Sequence, residues 1–276
     1  MKIALVQMNS TGDLQANLDK VAGYTEAAAG EGARLVVFPE ATQIAFGHDL
    51  ARTAADDEGK WIQSITEIAR ENDIVIAVGV FRPGINGTVT NSLVVRGVDD
   101  GREVSADYDK IHLYDAFGHR ESDSVTAGES VRTFRLGDVT FGLAICYDVR
   151  FPALFTAQAR AGADAIILAT SWGAGPGKAD QWKLLGPARA LDSTAYVLAC
   201  DQADPAVTGV PAKGGSPTGI GHSYVAAPNG ELLAEAGRGE EIIFADIDPD
   251  RIADIRASLP VLDNSRLEKG IRVECI

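Results

Sequence analysis

Short apolar runs of strand length recur along this chain of 276 residues, separated by helical periodicity and by glycine or proline turns. That alternation limits the fold more than any other feature of the sequence. Arg34 to Phe38 is one such run, ended by Pro39, and its lack of polar alternation predicts a strand covered on both faces. Lys2 to Met8, Ile74 to Phe81, Thr88 to Arg96, Arg132 to Leu136, Val139 to Ile145, Ala165 to Thr170, Ala195 to Cys200, His222 to Ala226 and Glu241 to Ile247 read as further strands. Helices are expected over Leu14 to Ala29, Gly59 to Glu71, Ala153 to Ala161, Gln181 to Ser193 and Pro249 to Ala257; in the first, Leu18, Val21, Ala22 and Ala28 suit one apolar face. Pro83-Gly84-Ile85-Asn86-Gly87 and Gly137-Asp138 join neighbouring strands as hairpins, whereas intervening helices imply crossovers. The pattern therefore predicts a mixed sheet system with helical outer layers.

No linker interrupts these signals, so residues 1–276 are expected as a single domain, with 258–276 as a C-terminal extension of mixed character. No internal repeat is legible. Ala106 to Ser130 lacks periodicity and reads as a long loop, and the Gly/Pro-rich stretch Asp201 to Gly221 reads as a lid. With 39 acidic against 25 basic residues the chain carries a formal charge of -14, which opposes nucleic acid and anionic membrane as partners. No run approaches a membrane span, and strand pattern begins at Met1 without a signal peptide, so a cytoplasmic location is expected. The three cysteines, Cys146, Cys200 and Cys275, are odd in number and lack metal-ligand spacing; free thiols are expected, with no metal or cofactor.

Cys146 closes the run Phe141 to Ile145 and opens Tyr147-Asp148-Val149-Arg150-Phe151-Pro152, which sets a thiol on a strand-to-turn edge. A cysteine attacks only as thiolate, a form favoured beside a cation and backbone N–H groups. Taken singly, such a cysteine is more readily an inert core residue, Glu40 a cap and Lys110 a solvated loop charge.

Three segments in order change that reading: Phe38-Pro39-Glu40, Tyr108-Asp109-Lys110-Ile111-His112-Leu113 and Cys146-Tyr147-Asp148-Val149-Arg150-Phe151-Pro152. Together they resemble the carbon-nitrogen hydrolase (nitrilase) superfamily, from Met1 to the strand near Asp246. The resemblance implies an α/β fold, a four-layer α-β-β-α sandwich, whose subunits pair through one helical face into a homodimer or higher homo-oligomer. It implies Cys146 as nucleophile, Glu40 as base and Lys110 as oxyanion partner, and a supporting glutamate at Glu121. An amide carbon is a poor electrophile, so thiolate attack needs the developing oxyanion to be stabilised; the Lys110 ammonium and the Tyr147 N–H can do this, and the same ammonium favours the thiolate. Glu40 would take the thiol proton, pass it to departing ammonia and then activate water.

True nitrilases tend to show Cys-Trp-Glu, whereas Cys146-Tyr147-Asp148-Val149-Arg150-Phe151-Pro152 resembles the Nit branch of ω-amidases and deaminated glutathione amidases. Ser171-Trp172-Gly173 through Gln181-Trp182 is similar to the same branch, and Trp172 can wall the acyl pocket or fill the core. Two departures stand out: Ala153 where many relatives have Glu, and Gln181 where relatives often have His. His112 and His119 receive no catalytic role. The implied function is a cysteine amidohydrolase acting on the terminal amide of a small, carboxylate-bearing substrate. The alternatives are an N-carbamoyl amide hydrolase, a nitrilase, a silent interaction protein on the same fold, and a nucleotide-binding protein. The last rests on Gly173-Ala174-Gly175-Pro176-Gly177-Lys178, which lacks the Ser/Thr that follows a P-loop lysine.

Overall fold

The computed structural model describes residues 1–57, 59–211 and 215–266. The chain begins with β1 (Lys2–Gln7), α1 (Leu14–Gly30), β2 (Leu35–Val37), α2 (Leu50–Asp57), α3 (Lys60–Glu71), β3 (Val75–Pro83), β4 (Val89–Asp99) and β5 (Arg102–Asp109). A small hairpin of β6 (Asp115–Ala116) and β7 (His119–Arg120) leads to β8 (Thr133–Leu136), β9 (Val139–Ile145), α4 (Pro152–Arg160), β10 (Ala165–Thr170), α5 (Lys178–Ser193) and β11 (Tyr196–Asp201). Then follow α6 (Pro205–Thr208), β12 (Tyr224–Ala226), β13 (Leu232–Glu235), β14 (Glu241–Asp246), α7 (Pro249–Ser258) and α8 (Val261–Asn264).

One six-stranded sheet runs β14-β1-β2-β3-β4-β5 and the other β13-β12-β11-β10-β9-β8. In the first, β1, β2 and β3 are parallel while β14, β4 and β5 pair antiparallel. In the second, β9, β10 and β11 are parallel while β8, β12 and β13 pair antiparallel. Read from β14 and from β8, the two sheets have the same succession of pairings. The topology is thus duplicated although no repeat is legible in the sequence, because a layer requires only matching apolar periodicity.

That periodicity also builds the layers. Ile3, Leu5, Val37 and Leu93 of the first sheet meet Phe141, Leu143, Ile167 and Leu198 of the second. The alternate residues Ala4, Val6, Val36 and Ile76 turn outward onto Val21 and Ala28 of α1 and onto Trp61 and Ile65 of α3. On the other side Ala144, Ile166, Leu168 and Val197 pack on Leu154 and Phe155 of α4 and on Trp182 and Ala190 of α5. Successive strand residues point to opposite faces, and here both faces are covered, so the runs are continuously apolar. The result is a four-layer α-β-β-α sandwich. Asp13 starts α1 by accepting from the Gln15 and Ala16 N–H groups at 3.0 and 3.1 Å.

Several elements differ from the sequence expectation, among them β6, β7, α6 and α8, which lie in segments expected as loop, lid or mixed extension. The segment expected as a loop from Ala106 begins inside β5, whose Asp107 and Asp109 meet Arg82 at 2.7 and 2.6 Å and whose Asp107 also meets Arg96 at 2.6 Å. Ion pairing with β4 and, across it, with β3 satisfies charges that read as loop when the partners are unknown. The helix α2, which buries only Ala54, and the short strand β13 were likewise not anticipated. Of the expected extension over 258–276, residues 267–276 with Cys275 lie outside the described residues, as do residues 212–214 of the expected lid.

Candidate active site

The ends of the central strands converge on one buried cluster. Past β2 the chain is held against β3, where the Gly79 N–H donates to the Pro39 carbonyl at 3.1 Å, and Glu40 follows, 1% exposed. Lys110 directly follows β5, its N–H still donating to the Asn91 carbonyl of β4 at 2.9 Å, and its ammonium is buried. Lys110 Nζ lies 3.1 Å from Glu40 Oε1 and 2.9 Å from Glu121 Oε2. Glu121, in a 3-10 turn after β7, also accepts from the Tyr114 N–H at 2.6 Å. Asn91 Nδ2 bridges the two carboxylates, donating to Glu40 Oε1 at 2.7 Å and to Glu121 Oε1 at 3.2 Å. The second Glu40 oxygen accepts from the Ser171 N–H at 2.9 Å.

Cys146 is the first residue of a 3-10 turn that follows β9, and it is half-buried. Its φ of 45° is in the left-handed region, a strained backbone for a residue with a Cβ. The Cys146 Sγ–H points at the Ser171 carbonyl, 3.9 Å away. Tyr147 follows at the N-terminal end of this turn, where leading N–H groups have no partner within it. Asp148 fixes the turn. Its carboxylate accepts from the Ile145 N–H at 2.9 Å, the Tyr108 hydroxyl at 2.7 Å and the His112 N–H at 3.1 Å, and Oδ1 lies 2.7 Å from His112 Nδ1. The cysteine turn is thereby tied to the segment that carries Lys110, and His112, stacked on Phe151 with centroids 3.7 Å apart, serves that tie.

Trp172 takes the core role, 3% exposed in the outer core, and its ring lies 5.2 Å from the Arg150 guanidinium. Arg150 in turn donates to Gln181 Oε1 at 2.7 Å. Asp201 at the end of β11 was not singled out from the sequence. It accepts from the Trp172 N–H at 2.7 Å, the Thr170 hydroxyl at 2.9 Å and the Ile220 N–H at 2.9 Å, and burial pushes its carboxyl up to about 7 against these donors. A cavity of about 260 Å³ adjoins the Glu40 side of the cluster, lined in part by Ala41, Ser171, Ser10, His48, Gln202 and Pro217. Asn91, also missed, carries a sequence signal only as a polar residue inside an apolar strand.

Electrostatics separate the two carboxylates. Burial raises the Glu40 pKa, and the Glu121 charge adds to that, while Lys110 opposes both. Burial works in the same direction on Glu121, but Lys110 and the Tyr114 N–H outweigh it and hold Glu121 below its ordinary value. For Lys110 burial disfavours the ammonium, yet the two carboxylates overcome it and lift its pKa well above the ordinary value. The Cys146 thiol is raised well above its ordinary value by burial and by the Glu40 charge, which together exceed the lowering by Lys110. The expectation that the Lys110 charge favours the thiolate holds in sign, since Lys110 lowers the Cys146 pKa, but burial and the Glu40 charge outweigh it, so the chemistry calls for a base to take the thiol proton. The arrangement can do this, since a proton-affine carboxylate, a permanent cation and a thiol share one buried site.

Comparison with known proteins agrees with this geometry. The sequence profile of the carbon-nitrogen hydrolase family matches residues 2–257. A hydrolase of Mycobacterium tuberculosis is 47% identical over 266 residues, 96% of this chain and 95% of its own length. The deaminated glutathione amidase of Escherichia coli O157:H7 is 32% identical, over 96% of this chain and 97% of its length. The crystal structure of Saccharomyces cerevisiae Nit3, described as a member of branch 10 of the nitrilase superfamily, superposes with a TM-score of 0.80 at 30% identity, covering 95% of this chain and 94% of that one. Curated Saccharomyces cerevisiae NIT3 is an ω-amidase. A family profile that spans almost the whole chain, relatives matched over nearly their full length and a shared fold lead to one conclusion: the chain belongs to the carbon-nitrogen hydrolase family, as a hydrolase of carbon-nitrogen bonds other than peptide bonds.

Proposed function

We propose that this protein is a cysteine amidohydrolase that cleaves the terminal amide of a small carboxylate-bearing molecule to a carboxylate and ammonia through a thioester. The observation that carries the reading is one ammonium, Lys110, 3.1 and 2.9 Å from the carboxylates of Glu40 and Glu121, with Ser171 joining Glu40 through its N–H and the Cys146 thiol through its carbonyl. Similarity to proteins named as a deaminated glutathione amidase and an ω-amidase supports an amide as the substrate.

In the first half-reaction Glu40 takes the Sγ proton as sulfur bonds to the amide carbon, and the carbonyl π electrons move onto oxygen. Lys110 and the Tyr147 N–H stabilise that oxyanion. Its collapse breaks the C–N bond, and the Glu40 proton leaves with nitrogen as ammonia. In the second, water loses a proton to Glu40 as its oxygen attacks the thioester, and the departing sulfur regains that proton. Glu40 serves both halves because its raised proton affinity suits giving as well as taking. Glu121, held ionised, keeps Lys110 charged and oriented.

Ammonia release from ω-amides of dicarboxylic acids, deaminated glutathione, N-carbamoyl amino acids and simple nitriles, with wild type and Cys146→Ala, tests the reading. Turnover of the amides by wild type alone is expected. Undiminished turnover by Cys146→Ala contradicts the mechanism, and carbon dioxide released with ammonia from N-carbamoyl amino acids redirects it to a carbamoyl hydrolase.

A further inference from the structure

We propose that Lys178 is the specificity-determining residue that binds the carboxylate at the non-reacting end of the substrate, an inference that rests on the amidase reading above. Lys178 ends the glycine-rich stretch from Gly173 and begins α5, so the segment that invited a nucleotide-binding reading sets this lysine beside Trp172, the residue after Ser171. Its ammonium lies 4.4 Å from the Phe117 ring centroid, 5.5 Å from that of Tyr114 and 5.8 Å from that of Trp172, and it donates to the Tyr114 hydroxyl at 3.4 Å. Aromatic faces hold a cation in position without neutralising it.

Among the described residues no carboxylate lies within ion-pair distance of Lys178. The same holds for Arg150, which donates to the neutral Gln181 and shares the Trp172 ring with Lys178. In a chain with 39 acidic and 25 basic residues, where cations such as Arg82, Arg96, Lys183 and Arg238 are paired, two uncompensated charges around one tryptophan form a local field opposite to the net charge of -14.

Their place relative to the thiol follows from the chain. Trp172 adjoins Ser171, whose carbonyl faces Cys146 Sγ, and the Tyr114 ring meets the Tyr147 ring edge-on with centroids 5.1 Å apart. Through Trp172 and Tyr114 the ammonium is thus linked to the two residues that flank the thiol, Ser171 and Tyr147, and the proposed contact sets the far end of a short acyl chain, its amide carbon at Sγ, against it. Phe117, 81% exposed at the tip of the β6–β7 hairpin, stacks on Tyr114 with centroids 6.4 Å apart and faces the Lys178 ammonium. The ligand class is the monoamide of a short dicarboxylic acid.

The test compares kcat/KM for such a monoamide with kcat/KM for the neutral primary amide of equal chain length, in wild type, Lys178→Gln and Lys178→Arg. Wild type is expected to prefer the charged amide. Lys178→Gln should lower that preference roughly 10- to 100-fold, the range for losing a charge-assisted hydrogen bond, chiefly through KM, and Lys178→Arg should restore part of it. A wild type indifferent to the carboxylate, or a preference unchanged in Lys178→Gln, overturns the inference while Cys146-dependent turnover of either amide leaves the amidase reading standing. No Cys146-dependent turnover of either amide overturns both.

Discussion

Glu40 and Glu121 both touch the Lys110 ammonium, at 3.1 and 2.9 Å, yet their surroundings drive their proton affinities apart. The reaction needs Glu40 ionised, so activity falls as pH drops through its pKa. Because that pKa is raised, the acid limb of the pH profile of kcat/KM is expected above the ordinary carboxylate value of 4.5. Glu121→Gln removes a negative charge that helps raise it, so the limb should move to lower pH. In the same variant Lys110 keeps its Glu40 pair but loses its second carboxylate and the orientation that gives, and kcat should fall roughly 10- to 100-fold. A pH profile with the limb unmoved in Glu121→Gln contradicts the assigned coupling. At this scale the sequence was legible where a residue sits in a motif: Glu40, Lys110, Glu121 and Cys146 could be named, and the structure brings them together. Asn91 and Asp201 could not, since one polar residue inside a strand and one at a strand end look the same whether they are solvated or bridge carboxylates and loop amides.

Strand ends, more than loops, set the geometry of the site. Gly79 of β3 stands directly behind the Glu40 segment, where an added Cβ would lie 2.5 Å from the Pro39 carbonyl oxygen and 2.7 Å from Glu40 Cα. Backbone atoms cannot yield as a side chain can. Gly79→Ala is therefore expected to displace Glu40 and lower kcat roughly 100-fold, with a stability loss of about 1–3 kcal/mol from overpacking. Ammonia-release kinetics and urea denaturation measure both, and a fully active, undiminished variant contradicts the packing described. Apolar elements such as β2, β9, β10 and β11 were legible because two covered faces write an uninterrupted run. β5 was not, because its charges are balanced by Arg96 on the neighbouring β4 and Arg82 on β3 beyond it, and pairing across a sheet leaves no mark on a single segment.

The whole molecule joins two sheets of like topology with the reacting groups at their shared ends: Glu40 follows β2 of one, and Cys146 follows β9 of the other. No helix among the described residues is long and apolar enough to cross a membrane. Leu184 and Leu191 of α5 are 68% and 41% exposed on the outer helical layer, an apolar face of the kind that pairs subunits. Sedimentation equilibrium is expected to give twice the chain mass of 29.1 kDa, and Leu184→Asp with Leu191→Asp to shift it toward one; a wild-type monomer contradicts the dimer expectation. The central claim, that Cys146 carries the acyl group, is tested most directly by acid-quenching the enzyme during turnover of a dicarboxylic monoamide and mapping the mass gain by peptide mass spectrometry. The account predicts an acyl adduct on the Cys146 peptide and none on those of Cys200 or Cys275; an adduct on either of these, or turnover with Cys146 never modified, would contradict it.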